Sequence, residues 1–462
     1  MAIAAACGSK PAAPPAQNKP GDAGPSDAPA KLELEARPLG MPDLAAHGWR
    51  KRGGQPAFRL ARAAEERGDW REVVTTCTQA LTADPGHLEA AWLLAVGHAK
   101  LGELDRVVAP LAQAAAGDFG KWGLASLELP GLKPFLATPV GEAWQQRLEQ
   151  DRARYVAALE RGLIVTADGD LYAVEPDLSR WYRVTRTSGL VIGALDLPAV
   201  HQVAYVARGS GKAARSLGIG VIDLARGRSS RPVSLDVSGP IWVAYSAKPP
   251  VGVWVGTGNP RAIAWRQFDE DYHFHALPPR TPRPPGPWLE VSARGQVRVH
   301  ALPGNVTADW DDQSLASAIR IGTSNRVVSV PSPGLIDGNT AAWSSDRQHL
   351  AFVAQLDEHC TAGAVNTAAF VGDASTGGAK ELERAAGGVA LAWLSERKLA
   401  IAGDHGVVVR SLDEGAPSIT IEGADGLLTP RERPRCAPAD ARDVAPPEEP
   451  EPDEAAGDTT AQ

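Results

Sequence analysis

The chain has 462 residues, 44% of them hydrophobic, with a formal net charge of −8; one core rarely exceeds roughly 250–300 residues, so more than one domain is expected. The segment 436–462 carries eight acidic residues (Asp440, Asp443, Glu448, Glu449, Glu451, Asp453, Glu454 and Asp458) against Arg442, a balance of −7 that leaves about −1 for the rest. A near-neutral body lacks the basic footprint of a phosphate binder, so nucleic acid is not an expected partner, and no run of apolar residues is long enough for a membrane-crossing helix.

At the N-terminus an Ala-rich apolar run, Ala4-Ala5-Ala6, ends at Cys7, and residues 8–50 are rich in Pro, Ala and polar side chains. Such composition cannot bury enough apolar surface to offset its ordering entropy, so a disordered tether is expected there. The run resembles the end of a bacterial lipoprotein signal, in which small residues precede a Cys that is lipidated after cleavage. Two features depart from that pattern: Ala4 stands where Leu is usual, and the charged start is missing. The resemblance implies lipidation at Cys7, residues 1–7 as the remnant of the signal, and a periplasm-facing anchor in the cell envelope. The alternative is an ordinary Ala-rich terminus on a cytoplasmic protein.

Residues 51–118 turn helical. Phe58, Leu60, Ala61 and Ala64 form one apolar face, broken at Gly68-Asp69; Val73, Val74, Cys77, Ala80 and Leu81 form the next, stopped at Asp84-Pro85. The rhythm repeats through Ala90–Lys100 and Val107–Ala115. It resembles a tetratricopeptide repeat: Leu60, Ala61, Ala80 and Pro85 match that family's positions, whereas Val73 and Cys77 replace its usual Ala and Phe. Such repeats build peptide-binding grooves, but about one and a half units suit a structural cap better than a groove. Residues 119–161 connect this module to the strand-rich region: Lys121 to Phe135 reads as a loop with a short helix. Val140 to Arg161 is a helix with Trp144, Leu148, Tyr155 and Leu159 on one stripe.

From 162 to 430 the apolar period shortens to that of strands. Seven strand groups are expected, with six as the alternative: Leu163–Val184, Leu190–Leu235, Ile241–Leu277, Leu289–Ala308, Ile319–Val330, Ala341–Arg384 and Val389–Ile421. Asp168-Gly169-Asp170, Asp337-Gly338-Asn339 and Asp404-His405-Gly406 supply tight turns. One unit is written twice, at Ala342-Trp343-Ser344-Ser345-Asp346-Arg347 and at Ala392-Trp393-Leu394-Ser395-Glu396-Arg397. A repeated unit of several short strands is the signature of a propeller blade. These copies resemble the blades of TolB-like β-propellers, with Ser345 for the usual Pro and Arg347 for the usual Gly, while the Gly-His and Trp-Asp signature of WD repeats is missing.

Candidate chemistry is sparse. His273 and His275 with Asp271 would share a face if they lay on one strand, as a metal pair requires, but such residues more often mark a solvated turn. The Gly209-Ser210-Gly211-Lys212-Ala213 stretch lacks the upstream Gly and the Ser or Thr of a phosphate loop. Gly256-Thr257-Gly258 lies between β runs with no helix behind it, and Pro278–Pro287 reads as a rigid surface loop. Cys77 lies on an apolar helix face. Cys360, in an apparent insertion, and Cys436, beyond the last strands, form a candidate disulfide if the chain is exported; the alternative is two free thiols.

The fold class expected is therefore multidomain, α plus all-β: a short tetratricopeptide-like module followed by a β-propeller, with an acidic tail at 431–462. The function expected is a non-enzymatic, lipid-anchored scaffold that binds proteins or envelope components and touches the membrane only through its anchor, with no catalytic, cofactor or metal residues. The competing readings are a propeller lyase or hydrolase using His201, His273 or Asp271 at a channel mouth, and a cytoplasmic scaffold.

Overall fold

The computed structural model describes residues 53–428, apart from 126–128, 188, 210–215, 238, 293–296, 301–305, 311–314, 322–325, 332–333, 357–366 and 386–388. Cys7, Cys360, Cys436, the tether, the acidic tail and the Ser210–Ala213 part of the glycine-rich stretch lie outside the described residues.

Helices α1 (Gln55–Arg67), α2 (Trp70–Ala83), α3 (Leu88–Leu101) and α4 (Val108–Gly117) pack each against the next. Local chemistry sets their ends. Gly68 and Gly102 close α1 and α3 in the left-handed region (φ 73° and 77°), where a Cβ is disfavoured. Asp69 caps α2 by accepting the Glu72 N–H at 3.1 Å. Ala61, Ala64, Val73, Cys77 and Ala80 are fully buried, as their spacing predicts, but Leu60 is 57% exposed. It stands one position before Ala61 and therefore falls off the narrow buried stripe.

The connecting stretch contains a π-helical turn, Phe119–Gly123, and a 3-10 turn, Pro130–Leu132, then α5 (Lys133–Leu136) and the long α6 (Pro139–Arg161). The predicted stripe on α6 is the buried one: Trp144, Leu148, Tyr155 and Leu159 are all at most 3% exposed. Asp151 is buried beside it, its charge met by Arg147 at 2.6 Å.

The strands form five antiparallel sheets among the described residues. The first holds β1 (Leu163–Ala167), β2 (Asp170–Val174) and β3 (Trp181–Arg183). The second holds β4 (Val191–Leu197), β5 (Gln202–Arg208), β6 (Leu217–Asp223), β7 (Arg228–Ser229) and β8 (Val233–Ser234). In the third, β9 (Ile241–Ser246), β10 (Gly252–Asn259), β11 (Ala262–Phe268) and β12 (Phe274–Ala276) are extended by β13 (Trp288–Val291) and β14 (Val297–His300). The fourth joins β15 (Val306–Trp310), β16 (Leu315–Ile321) and β17 (Arg326–Ser329) to β18 (Leu335–Trp343), β19 (His349–Gln355), β20 (Thr367–Asp373) and β21 (Ala379–Ala385). The fifth holds β22 (Ala390–Ser395), β23 (Lys398–Gly403), β24 (Gly406–Ser411) and β25 (Ile419–Ile421). The predicted fourth and fifth strand groups thus make no sheets of their own among the described residues. β13 pairs with β9 and β16 with β18, so both groups join their neighbours' sheets.

The sheets contact one another in chain order. Gly169 O accepts the Val191 N–H at 3.0 Å between the first and second. β4 meets β9 and β13, β14 meets β18, and β22 meets both β18 and β19. A last strand, β26 (Gly426–Leu427), pairs with β1 and touches β22 and β23, which brings the chain back to its first sheet. Thr166 donates to Asp425 at 2.6 Å beside this junction.

The doubled unit is legible in the geometry. Ser344 is buried; its hydroxyl donates to Asp346 at 2.6 Å and accepts the His349 N–H at 3.0 Å, which holds the β18–β19 turn. Arg347 takes φ 57° at the position where the resembling family has Gly. Trp393 of the second copy donates its indole N–H to Ala342 O of the first at 2.9 Å, tying the fourth sheet to the fifth. The two-residue turns at Asp168-Gly169 and Asp404-His405 form as predicted. Asp337-Gly338-Asn339 does not turn. It lies inside β18 at a register shift, where the Thr340 hydroxyl takes the Val353 N–H at 2.8 Å in place of a ladder partner.

Candidate functional site

A cleft of about 820 Å³ opens between the helices and the second sheet. Its helical wall is the α2–α3 loop (Asp84, Gly86, His87), the start of α3 and the Gly120-Lys121-Trp122 turn; its strand wall is Arg183, Arg186, Thr187, Tyr205, residues 227–232 and Tyr272.

Aromatic packing fixes the two walls beside one another. Phe119, Tyr155 and Tyr182 meet pairwise with ring centroids 5.4, 5.3 and 6.2 Å apart. All three are buried, and each such pair adds roughly 0.5–1.5 kcal/mol beyond the burial itself. The Tyr155 hydroxyl donates to Gly227 O at 3.1 Å, and that of Tyr205 to Ser230 O at 2.6 Å. Burial pushes both phenols well above their ordinary pKa, so they act as neutral donors. Gly227 (φ 65°) is required here, since a Cβ would lie 2.6 Å from the Tyr155 ring.

Ion pairs complete the join. Arg186 grips Asp118 in a fork, Nε to Oδ2 at 2.7 Å and Nη2 to Oδ1 at 2.5 Å. Burial opposes the Arg186 charge, but the Asp118 carboxylate outweighs it and the guanidinium is held above its ordinary pKa. Behind it, the fully buried Asp170 accepts from Arg183 at 3.0 Å, from the Thr185 and Thr187 hydroxyls at 2.8 Å, and from the Thr187 N–H at 2.8 Å. Lys121 sits 3.9 Å from the Trp122 ring centroid and 3.5 Å from Glu89; burial lowers its pKa, partly offset by Glu89 and Asp118. His87 caps α3, its Nδ1 accepting the Ala90 N–H at 3.2 Å. That bond fixes the proton on Nε2, which is buried with no acceptor among the described residues.

The lining holds five cationic side chains (Lys121, Arg183, Arg186, Arg228 and Arg231) against three carboxylates (Asp84, Glu89 and Asp118). Its inner cations are paired. Arg228 and Arg231, on the rim, are exposed and have no ion pair among the described residues. The cleft can therefore take carboxylates or other anions at its mouth and aromatic or apolar groups against Trp122 and Tyr272.

The residues singled out in sequence lie elsewhere. His201 ends a 3-10 turn between β4 and β5 at φ 51°. His273 and Asp271 sit in the exposed β11–β12 turn, while His275 is on β12 and bonds Asp269 at 2.5 Å. His273 lies just before β12 rather than on it, and the carboxylate that the two imidazoles approach is Asp269, with His273 Nδ1 at 3.9 Å, rather than Asp271. Asp269 accepts the His273 N–H and pairs with His275, which hold its pKa below the usual carboxylate range. Among the described residues no group of three His, Cys, Asp or Glu side chains is placed to hold a metal. Gly256-Thr257-Gly258 is part of strand β10 rather than a loop. The cleft escapes sequence reading because its walls come from separate stretches, residues 84–122, 183–187, Tyr205 and 227–272; the sole signal is the basic pair Arg228, on β7, and Arg231 just beyond it.

No protein-family model and no curated protein matches the chain. Among solved structures it is similar to KlHsv2 with loop 6CD replaced by a Gly-Ser linker, at 14% identity and a TM-score of 0.34, over 56% of this chain and 95% of that one. It is similar to a puromycin-hydrolyzing peptidase of Mycobacterium tuberculosis at 13% identity and a TM-score of 0.24, over 50% of this chain and 37% of that one. It is also similar to the tricorn protease at 10% identity and a TM-score of 0.21, over 57% of this chain and 35% of that one. At these values the likenesses assign no activity.

Proposed function

We propose that the chain is a non-enzymatic interaction scaffold: a β-propeller over 162–430, carrying a tetratricopeptide-like module and held at the periplasmic side of the envelope by a lipid on Cys7. The cycle of sheet contacts closed by β26 on β1 supports the propeller. The four-stranded meanders of β9–β12, β18–β21 and β22–β25 serve as its best-formed blades. The observation that carries the function is the cleft, an open recess of about 820 Å³ whose two walls are locked together by the Arg186–Asp118 fork and the Phe119–Tyr155–Tyr182 rings. A preformed recess of mixed charge and aromatic character suits recognition of a protein partner.

Expression of the natural gene in a bacterial host, followed by intact-mass measurement without reductant, tests the anchoring. Cleavage before Cys7 with added acyl mass, and loss of two hydrogens at Cys360 and Cys436, are expected. A photo-crosslinking residue at Trp122 tests the recess by capturing a discrete envelope protein in intact cells. An unmodified, uncleaved chain refutes the anchor, and capture of nothing at Trp122 refutes the recess as the recognition site.

A further inference from the structure

We propose that the cleft holds an extended acidic segment of a partner protein, laid beside β7 with its carboxylates on Arg228 and Arg231. This rests on the scaffold reading and adds the chemistry of the partner to it. β7 and β8 together form the last strand of the second sheet: both pair with β6, and their far side has no strand partner among the described residues. That edge, residues 227–232, belongs to the strand wall of the cleft. The Ser230 N–H is spent on Val221 O at 2.8 Å. Successive residues of an antiparallel strand bond to opposite sides, so the backbone groups of Ser229 are turned away from β6. An extended chain lying beside β7 meets them as an added strand.

Charge decides which chain fits. Deeper in the cleft the cations already face carboxylates: Arg186 faces Asp118, Arg183 faces Asp170, and Lys121 lies 3.5 Å from Glu89. Arg228 and Arg231 are exposed and have no ion pair among the described residues. They stand three residues apart, about 10 Å of extended backbone at ~3.3 Å per residue, so two carboxylates of one strand serve them better than a single small anion does. Pro232 follows and offers no N–H, which keeps the added pairing short. Affinity therefore comes chiefly from the two arginines, and salt screens it. Among the described residues Tyr272 is the one large side chain of the cleft that is strongly exposed and largely apolar, too little surface to bed an acyl chain.

Fluorescence anisotropy of the full chain with a labelled eight-residue peptide alternating Glu and Thr reads this contact. Replacing each Glu of the peptide by Gln, substituting Arg228→Ala/Arg231→Ala, or raising salt to about 0.5 M should each weaken binding at least about fivefold. Methylating the backbone nitrogens of either the Glu or the Thr set leaves the charge in place; one set should lose a further threefold or so and the other little, because alternate N–H groups face the neighbouring strand. Charge reversal guards against a folding defect: Arg228→Glu/Arg231→Glu should reject the Glu peptide and bind its Lys counterpart. The proposal is overturned by a Glu peptide that does not bind, by affinity indifferent to the rim substitutions, by methylation that leaves both sets unchanged, or by preference for vesicles rich in phosphatidylglycerol. Capture at Trp122 of a protein through a neutral or basic stretch overturns it while leaving the scaffold standing; an empty capture takes both down.

Discussion

Replacing Asp118 by Asn tests whether the helical module is held by its buried ion pair. The substitution keeps the shape and the 3.2 Å cap to the Lys121 N–H, but removes the charge that Arg186 faces through two hydrogen bonds. The amide oxygen can accept one of those donors; its NH2 group opposes the other. Breaking one partner of a buried pair costs about 3–5 kcal/mol, and Arg186 is 28% exposed, so water recovers part of it. A loss of about 2–3 kcal/mol is therefore expected in urea denaturation, with faster amide exchange over 108–123 and 184–187. The double variant Asp118→Asn/Arg186→Met removes the stranded charge and should be less destabilised than Asp118→Asn alone. A cost below about 0.5 kcal/mol, or a double variant whose loss equals the sum of the singles, would refute the coupling.

Asp170→Ala should cost at least about 3 kcal/mol by thermal or chemical melting, because it removes at once the buried carboxylate that faces the Arg183 guanidinium and the acceptor of the Thr187 N–H. Trp393→Phe keeps an aromatic ring but deletes the 2.9 Å bond to Ala342 O, with an expected loss of about 1 kcal/mol and faster exchange at the β18–β22 junction. Gly169→Ala forces a Cβ to within 2.6 Å of Gly189 O at φ 72°; a loss above about 1 kcal/mol is expected by melting. Cys77 is buried, and burial, then the Glu65 carboxylate, pushes its thiol up to about 12 from 9.0. It should resist thiol reagents at pH 8 until the chain unfolds. The folded thiol keeps its proton where the unfolded one loses it, so this contribution to stability is full below pH 9 and declines as pH rises toward 12.

Short-range signals carry most of the architecture in the sequence. The α6 stripe and the Asp168-Gly169 and Asp404-His405 turns are each legible because one local rule decides them. So is the pair Trp343 and Trp393, where the repeated pattern marks the same structural position twice. Asp337-Gly338-Asn339 misleads because turn-forming residues also serve a bulge, and the Thr340 hydroxyl that settles the matter acts across to Val353 on the neighbouring strand. Leu60 misleads because a buried face built from Ala61 and Ala64 is too narrow to include its neighbour. The cleft is illegible for a different reason: Asp118 and Arg186 are separated by 68 residues, and nothing local announces that they meet.

The pairing of β26 with β1 sets an order of events during synthesis. Thr166 and Asp425 meet across 259 residues of chain, so the first sheet waits with β1 unpaired on that side until every other sheet has been made. An unpaired edge is where a half-made chain would recruit a strand from another copy. The remedy here is brevity: the site left open is closed by a two-residue strand, Gly426–Leu427, and so offers a stranger little to pair with.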